Sequence, residues 1–141
     1  MKRGQVYFNH YHDATGREKR IPVLVISRDD YNHDSDFVTA VRLAKYNNNP
    51  CAQHVFIPGS MLTDTTTNIG DCYALAEAVS SIRKSSLEGP IAEAGEATLD
   101  MVCGAVEYQI GRDTVSTYGV RYSAANSPQM RETKPMTERE G

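Results

Sequence analysis

No part of this sequence stays apolar for long. After the charged start at Lys2 and Arg3, the first hydrophobic stretch is only Val6-Tyr7-Phe8, far short of a signal-peptide core or a membrane-spanning helix. The expected location is therefore the cytoplasm, with no membrane partner. Cysteine is scarce: Cys51, Cys72 and Cys103 are widely separated and form no Cys-x-x-Cys pair, which argues against a disulfide framework or a zinc site and predicts reduced, mostly buried thiols. Positive charge is not abundant either. A formal charge of −3 excludes a protein that holds nucleic acid through a broad basic face, so any nucleic-acid site has to be local. There are no internal repeats.

What is present fits one domain. The 141 residues are 40% hydrophobic and 23% charged, an ordinary globular composition that supports one modest core. GQVYFNH (4–10) places Val6 and Phe8 on one face, and PVLVIS (22–27) is an apolar run of the kind buried on both sides of a sheet. FVTAVRL (37–43), HVFI (54–57) and CYALA (72–76), the last continuing towards Val79 and Ile82, follow at intervals set by turn-forming residues. Those turns are Asp-Ala-Thr-Gly at 13–16, Asn47-Asn48-Asn49-Pro50, and a polar loop from Pro58-Gly59 through Gly70. Near the end of this region the period changes. In EATLDMVCGAVEYQIG (96–111), Leu99, Val102, Cys103, Val106 and Ile110 recur at helical spacing with Gly111 as the stop, although Gly104 inside the helix costs about 1 kcal/mol unless packing requires it. The prediction is a mainly β fold with a C-terminal helix, an α+β arrangement built on a small β-barrel. Residues 1–111 form the domain, and residues 112–141, rich in Ser, Thr, Asn, Pro and mixed charges, form an extension that is flexible or orders against a partner.

Charge is concentrated in one place. In GREKRIPVLVISRDDYN (16–32), Arg17, Glu18, Lys19 and Arg20 stand directly before Pro22 and the apolar run, and we expect them in the loop between the first two strands. A solvated charged loop is the plain explanation. The chemical one is a phosphate grip. Cleaving RNA through its own 2′-hydroxyl requires a base for that proton, an acid for the departing 5′-oxygen, and cations for the charge that builds on phosphorus. A carboxylate among arginines meets those needs, on single-stranded RNA rather than on duplex. His10-x-His12 with Asp13 admits three readings: metal ligands, a catalytic acid in the same cleft, or polar residues at a strand end. His33 and His54 have no constellation around them in the sequence. Tyr7, Tyr11, Tyr31, Tyr46 and Tyr73 suit either base stacking or a barrel rim.

Taken in order, KRGQVYF (2–8), Gly16-x-Glu18, Pro22-Val-Leu-Val-Ile-Ser, Asp30-Tyr31-Asn32, and Ala76-Glu77 leading to Ile82 and a terminal helix resemble the MazF/PemK/Kid toxins of bacterial toxin–antitoxin modules. The resemblance spans residues 2 to about 111. It implies an SH3-like β-barrel, a homodimer, cleavage of single-stranded RNA with neither metal nor cofactor, and neutralisation by a cognate antitoxin. It also implies catalytic roles for Glu18, Arg20 and Glu77, and RNA contacts from Arg17, Lys19, Arg42 and Lys45. The sequence departs from the family pattern at four positions. Ile21 stands where an arginine usually precedes the proline, Ala44 where a threonine is common, and Ala78 and Ser80 where Gln and Arg follow the acidic residue. Two alternatives accompany these departures: a non-catalytic relative that binds RNA or a protein, and an SH3-like peptide-binding module.

Overall fold

The computed structural model describes residues 1–47, 53–64 and 68–112. Its strands are β1 (Gln5–His12), β2 (Glu18–Val25), β3 (Phe37–Lys45), β4 (His54–Ile57), β5 (Leu62–Asp64), β6 (Cys72–Arg83) and β7 (Leu87–Ala94), with helices α1 (Asp29–Asp34) and α2 (Glu96–Gln109). They form one antiparallel sheet in the order β4-β6-β3-β2-β1-β7-β5. Edge-strand residues Val55, Ile57 and Leu62 belong to the same core as the central Val6, Leu24 and Val41. The sheet therefore curls until both edges face a common interior, which α2 closes with Leu99, Val102 and Ala105. This is the expected mainly β architecture with a C-terminal helix. No helix among the described residues is long and apolar enough to cross a membrane.

The first hairpin sets the geometry that matters most. Asp13 Oδ1 accepts hydrogen bonds from the N–H groups of Thr15 (2.9 Å) and Arg17 (3.0 Å) and from the Thr15 hydroxyl (2.6 Å), while Gly16 takes the φ of +83° that the turn requires. With the turn closed at Asp13–Arg17, β1 and β2 pair without interruption from Val6↔Leu24 to His12↔Glu18. The charged residues Glu18, Lys19 and Arg20 thus lie in a strand and not in the expected loop. Pairing to β1 extends β2 through residues whose own strand propensity is poor.

Pairing also sorts the side chains onto two faces, because directly opposed residues share one. Val6, Phe8, His10 and His12 share the interior face with Leu24, Pro22, Arg20 and Glu18. Tyr7, Asn9 and Tyr11 share the outer face with Val23, Ile21 and Lys19. A second, smaller cluster, made by Tyr7, Val23, Val25, Val38, Ala40 and Ile82, fills the outer face, with Met1, Ile21 and Leu87 packed against it.

Helix α1 interrupts what reads as a polar turn in the sequence. Its Asn32 is fully buried, donates Nδ2–H to the Ser27 carbonyl (2.8 Å) and hydrogen-bonds the Ser27 hydroxyl, which itself accepts from the Thr39 N–H (2.9 Å). The Asp30-Tyr31-Asn32 motif therefore contains a structural clamp between α1 and β3. At the other end, α2 stops as expected: Gly111 has φ +96° and its N–H bonds the Tyr108 carbonyl.

Within the expected loop from Pro58 to Gly70, Leu62–Asp64 form the strand β5 by pairing with β7, and two larger features also lay outside the sequence reading. The first is β7, which pairs with both β1 and β5 and shifts register opposite Tyr7, where the Gly89-Pro90 peptide is cis. The second is a large bulge in β6. Between the Val41↔Val79 and Leu43↔Ala74 pairs, β3 advances two residues and β6 advances five, so Leu75–Ala78 arch opposite Arg42. Cys72 is buried and Cys103 half-buried; Cys51, the Asn48–Pro50 part of the expected turn and residues 113–141 lie outside the described residues.

Candidate functional site

At the open end of the interior face the core gives way to charge. Going outward along β1, Val6 is buried, Phe8 is half-buried, and His10 follows among polar neighbours supplied by the strands on both sides. From β2 come Arg20, directly opposite His10, and Glu18, opposite His12. From β7 comes Glu88, opposite Phe8. His10 Nε2 lies 2.7 Å from Glu88 Oε1, and Nδ1 lies 3.2 Å from Glu18 Oε2. The Arg20 guanidinium stacks 4.2 Å from the centre of the Phe8 ring and reaches within 3.9 Å of Glu88 Oε1. The hydrogen bond to Glu88 above all raises the pKa of His10; desolvation opposes it, and the contact with Glu18 adds to the rise.

All four polar side chains stay open to solvent, at 35% exposure for His10, 64% for Glu18, 55% for Arg20 and 59% for Glu88. An extended polyanion can therefore reach a carboxylate, an imidazole and a guanidinium from one side. In chemical terms these are a base, an imidazole able to hold or give up a proton, and a bidentate phosphate ligand. Asp13, which the sequence groups with the two histidines, is engaged in the hairpin turn instead. Among the described residues no three His, Cys, Asp or Glu side chains are placed to hold a metal ion.

The structure brings Glu18 and Arg20 together and places Glu77 elsewhere. Glu77 sits in the β6 bulge, where its Oε2 meets His54 Nε2 at 3.0 Å. Its level on the sheet is that of Arg42, which pairs with Val23. Arg20 is three residues further along β2, about 10 Å, and lies two strand spacings across, about another 10 Å. His54 packs against Tyr73 (ring centres 5.9 Å apart), which with Tyr46 and Phe56 forms an aromatic group. His54 thus has a constellation after all. Its members come from β4 and β6, distant in sequence and adjacent only through sheet pairing.

The remaining cations divide between regions. Arg17 lies in the hairpin turn, Lys19 and Arg42 on the outer face, and the exposed Lys45 at the end of β3. Arg42 lines an outer groove of about 170 Å³ with Asn9, Ile21, Val23, Ala78 and Ser80. Three of the positions at which the sequence departs from the family pattern therefore converge on this one groove, and they leave it largely apolar. Glu88 had no signal in the sequence reading, because β7 itself was not read.

A curled antiparallel sheet capped by a C-terminal helix, with an open carboxylate–imidazole–guanidinium rim, defines a small β-barrel-like α+β protein. Residues 2–110 match the family described as PemK-like, MazF-like toxin of type II toxin–antitoxin system, and the chain belongs to that family. Comparison with curated proteins by sequence gives no match. Among solved structures, the fold is similar to an endoribonuclease from a Mycobacterial species, at 24% identity and TM-score 0.60 over 79% of this chain and 91% of that one. It is also similar to a MazE-MazF structure from Deinococcus radiodurans, at 22% identity and TM-score 0.64 over 79% and 96% of the two chains. A third, an endoribonuclease in complex with its cognate antitoxin from a Mycobacterial species, aligns at 23% identity and TM-score 0.60 over 79% and 95%.

Proposed function

We propose that this toxin-family chain is an endoribonuclease that cleaves single-stranded RNA without metal or cofactor, and that a cognate antitoxin neutralises it. The observation that carries this reading is the rim itself: Glu18 and Arg20 project from the same face of β2 around His10 and Glu88. Glu18 takes the proton of the ribose 2′-hydroxyl as O2′ attacks phosphorus, and Arg20 grips two oxygens of the phosphate as charge builds on it. Family membership and the two endoribonucleases among the structural relatives support the same activity, and the antitoxin complex supports the partner.

Glu77 takes a different part from proton transfer at this rim. Its carboxylate, held against His54, which in turn packs on Tyr73, suits the amino edge of an unpaired base stacked near the aromatic group, with Arg42 and Lys45 supplying charge for the backbone.

Purified protein should cut single-stranded RNA in the presence of EDTA, leave a 2′,3′-cyclic phosphate, and spare a substrate carrying 2′-deoxyribose at the cut. Intact RNA, or cleavage that EDTA abolishes, overturns the reading. The apolar outer groove favours a second reading, a non-cleaving relative that binds a partner segment there; it predicts tight RNA or peptide binding with no new RNA ends. The chain should also be a homodimer, because a sheet this small leaves apolar surface such as Met61 and Met101 exposed. Sedimentation at micromolar concentration gives twice the mass of the 15.6 kDa chain if this is right, and the monomer mass if it is not.

A further inference from the structure

We infer that His10 is the general acid of the reaction, donating the proton that lets the 5′-oxygen leave, and that Glu88 is the positioning residue that holds its ring. This inference rests on the ribonuclease reading above and names the acid that reading requires.

The geometry is specific. His10 is engaged at both nitrogens, but unequally: the 2.7 Å contact to Glu88 anchors Nε2, and the 3.2 Å contact leaves Nδ1 more loosely held by Glu18. A phosphate entering between Glu18 and Nδ1 replaces the contact these two make with each other, while Glu88 keeps the ring in place. Base and acid then lie on opposite sides of phosphorus, as in-line displacement requires. The O2′–P bond forms and the P–O5′ bond breaks. Glu18 receives the 2′ proton, and the imidazolium passes its Nδ1 proton to O5′, giving a cyclic phosphate and a 5′-hydroxyl. When product leaves, protonated Glu18 and neutral His10 Nδ1 face one another again, and one proton transfer across that contact resets both groups.

The charged and titratable groups facing His10 are Glu18 and Arg20 of β2, Glu88 of β7 and His12 on its own strand. The two carboxylates touch it directly, and their hydrogen bonds raise its pKa, favouring the imidazolium that a general acid requires. The rate should therefore fall as pH rises through that raised value. Glu88→Gln removes the strongest contributor and should move this fall to lower pH.

The test uses two RNAs that differ only in the leaving atom at the cut: ordinary 5′-oxygen, and a bridging 5′-sulfur, whose thiolate departs without a proton. On ordinary RNA, His10→Ala should lose about 10²–10⁴-fold in kcat. On the 5′-thio substrate its loss should shrink to within roughly tenfold, whereas Glu18→Gln should be impaired on both, because the base is needed in each. Equal losses for His10→Ala on both substrates overturn the acid role while leaving the ribonuclease reading intact. Wild-type protein that cuts neither substrate overturns that reading, and this one with it. Glu88→Gln with an unmoved basic limb overturns the positioning role.

Discussion

Arg20→Ala should reduce RNA cleavage by about 10²-fold or more, mostly in kcat, while Glu77→Gln should change KM and leave kcat within roughly tenfold. The asymmetry follows from position. Arg20 shares the rim with Glu18 and His10, and its guanidinium is oriented by stacking on Phe8, so little ordering remains when phosphate arrives. Its contact with Glu88 is long and exposed, which leaves its donors free to be taken by a substrate. Lys19→Ala, on the opposite face of the same strand, should cost far less, since an exposed ammonium there adds only diffuse attraction. Steady-state kinetics on one short RNA separate the cases. If Glu77→Gln abolishes kcat and Arg20→Ala does not, the reaction is centred on the β6 bulge and the rim assignment is wrong.

Leu24→Ala should destabilise the fold by about 2–5 kcal/mol. Leu24 is fully buried at the point where β1, β2 and β3 meet, opposite Val6 on one side and Val41 on the other, and all three belong to the main core. Truncation removes apolar contact in a place where pairing on both sides prevents the backbone from closing over the gap. At roughly 4 °C for each kcal/mol, thermal unfolding should move down by about 8 °C or more. Ile21→Ala, half-buried on the outer face, serves as the contrast and should shift it much less. A Leu24→Ala shift no larger than that of Ile21→Ala would show that the main core lies elsewhere.

The apolar strands were legible because their alternation or unbroken hydrophobicity is local: HVFI becomes β4 at its expected bounds, and the period from Leu99 to Ile110 becomes α2. What escaped is what pairing creates. LEGPIAEA carries a Gly-Pro and two carboxylates, and only its place between β1 and β5 makes it a strand. With β7 unread, Glu88 could not be connected to His10. The charges before Pro22 read as a loop because Glu, Lys and Arg are weak strand formers, and the hairpin turn overrode that preference. Nor could the sequence show which side chains surround Glu77, because the β6 bulge opposite Arg42 brings it to His54 of another strand. The site was therefore partly legible: Glu18 and Arg20 were visible as a pair in sequence and His10 as one of several readings for the same cleft, whereas Glu88 joins them only through the register of three strands.

The uninterrupted β1–β2 ladder gives the order of two neighbouring residues a heritable consequence. Arg20 faces the rim and Ile21 the outer groove, where family members commonly carry an arginine before the proline. Exchanging the two codons would preserve composition, charge and chain length, yet would carry the guanidinium through the sheet to the other side of the protein. A lineage with this hairpin can thus relocate this guanidinium by transposition alone, and two homologues with identical residue content at these positions can present their cations to opposite surfaces.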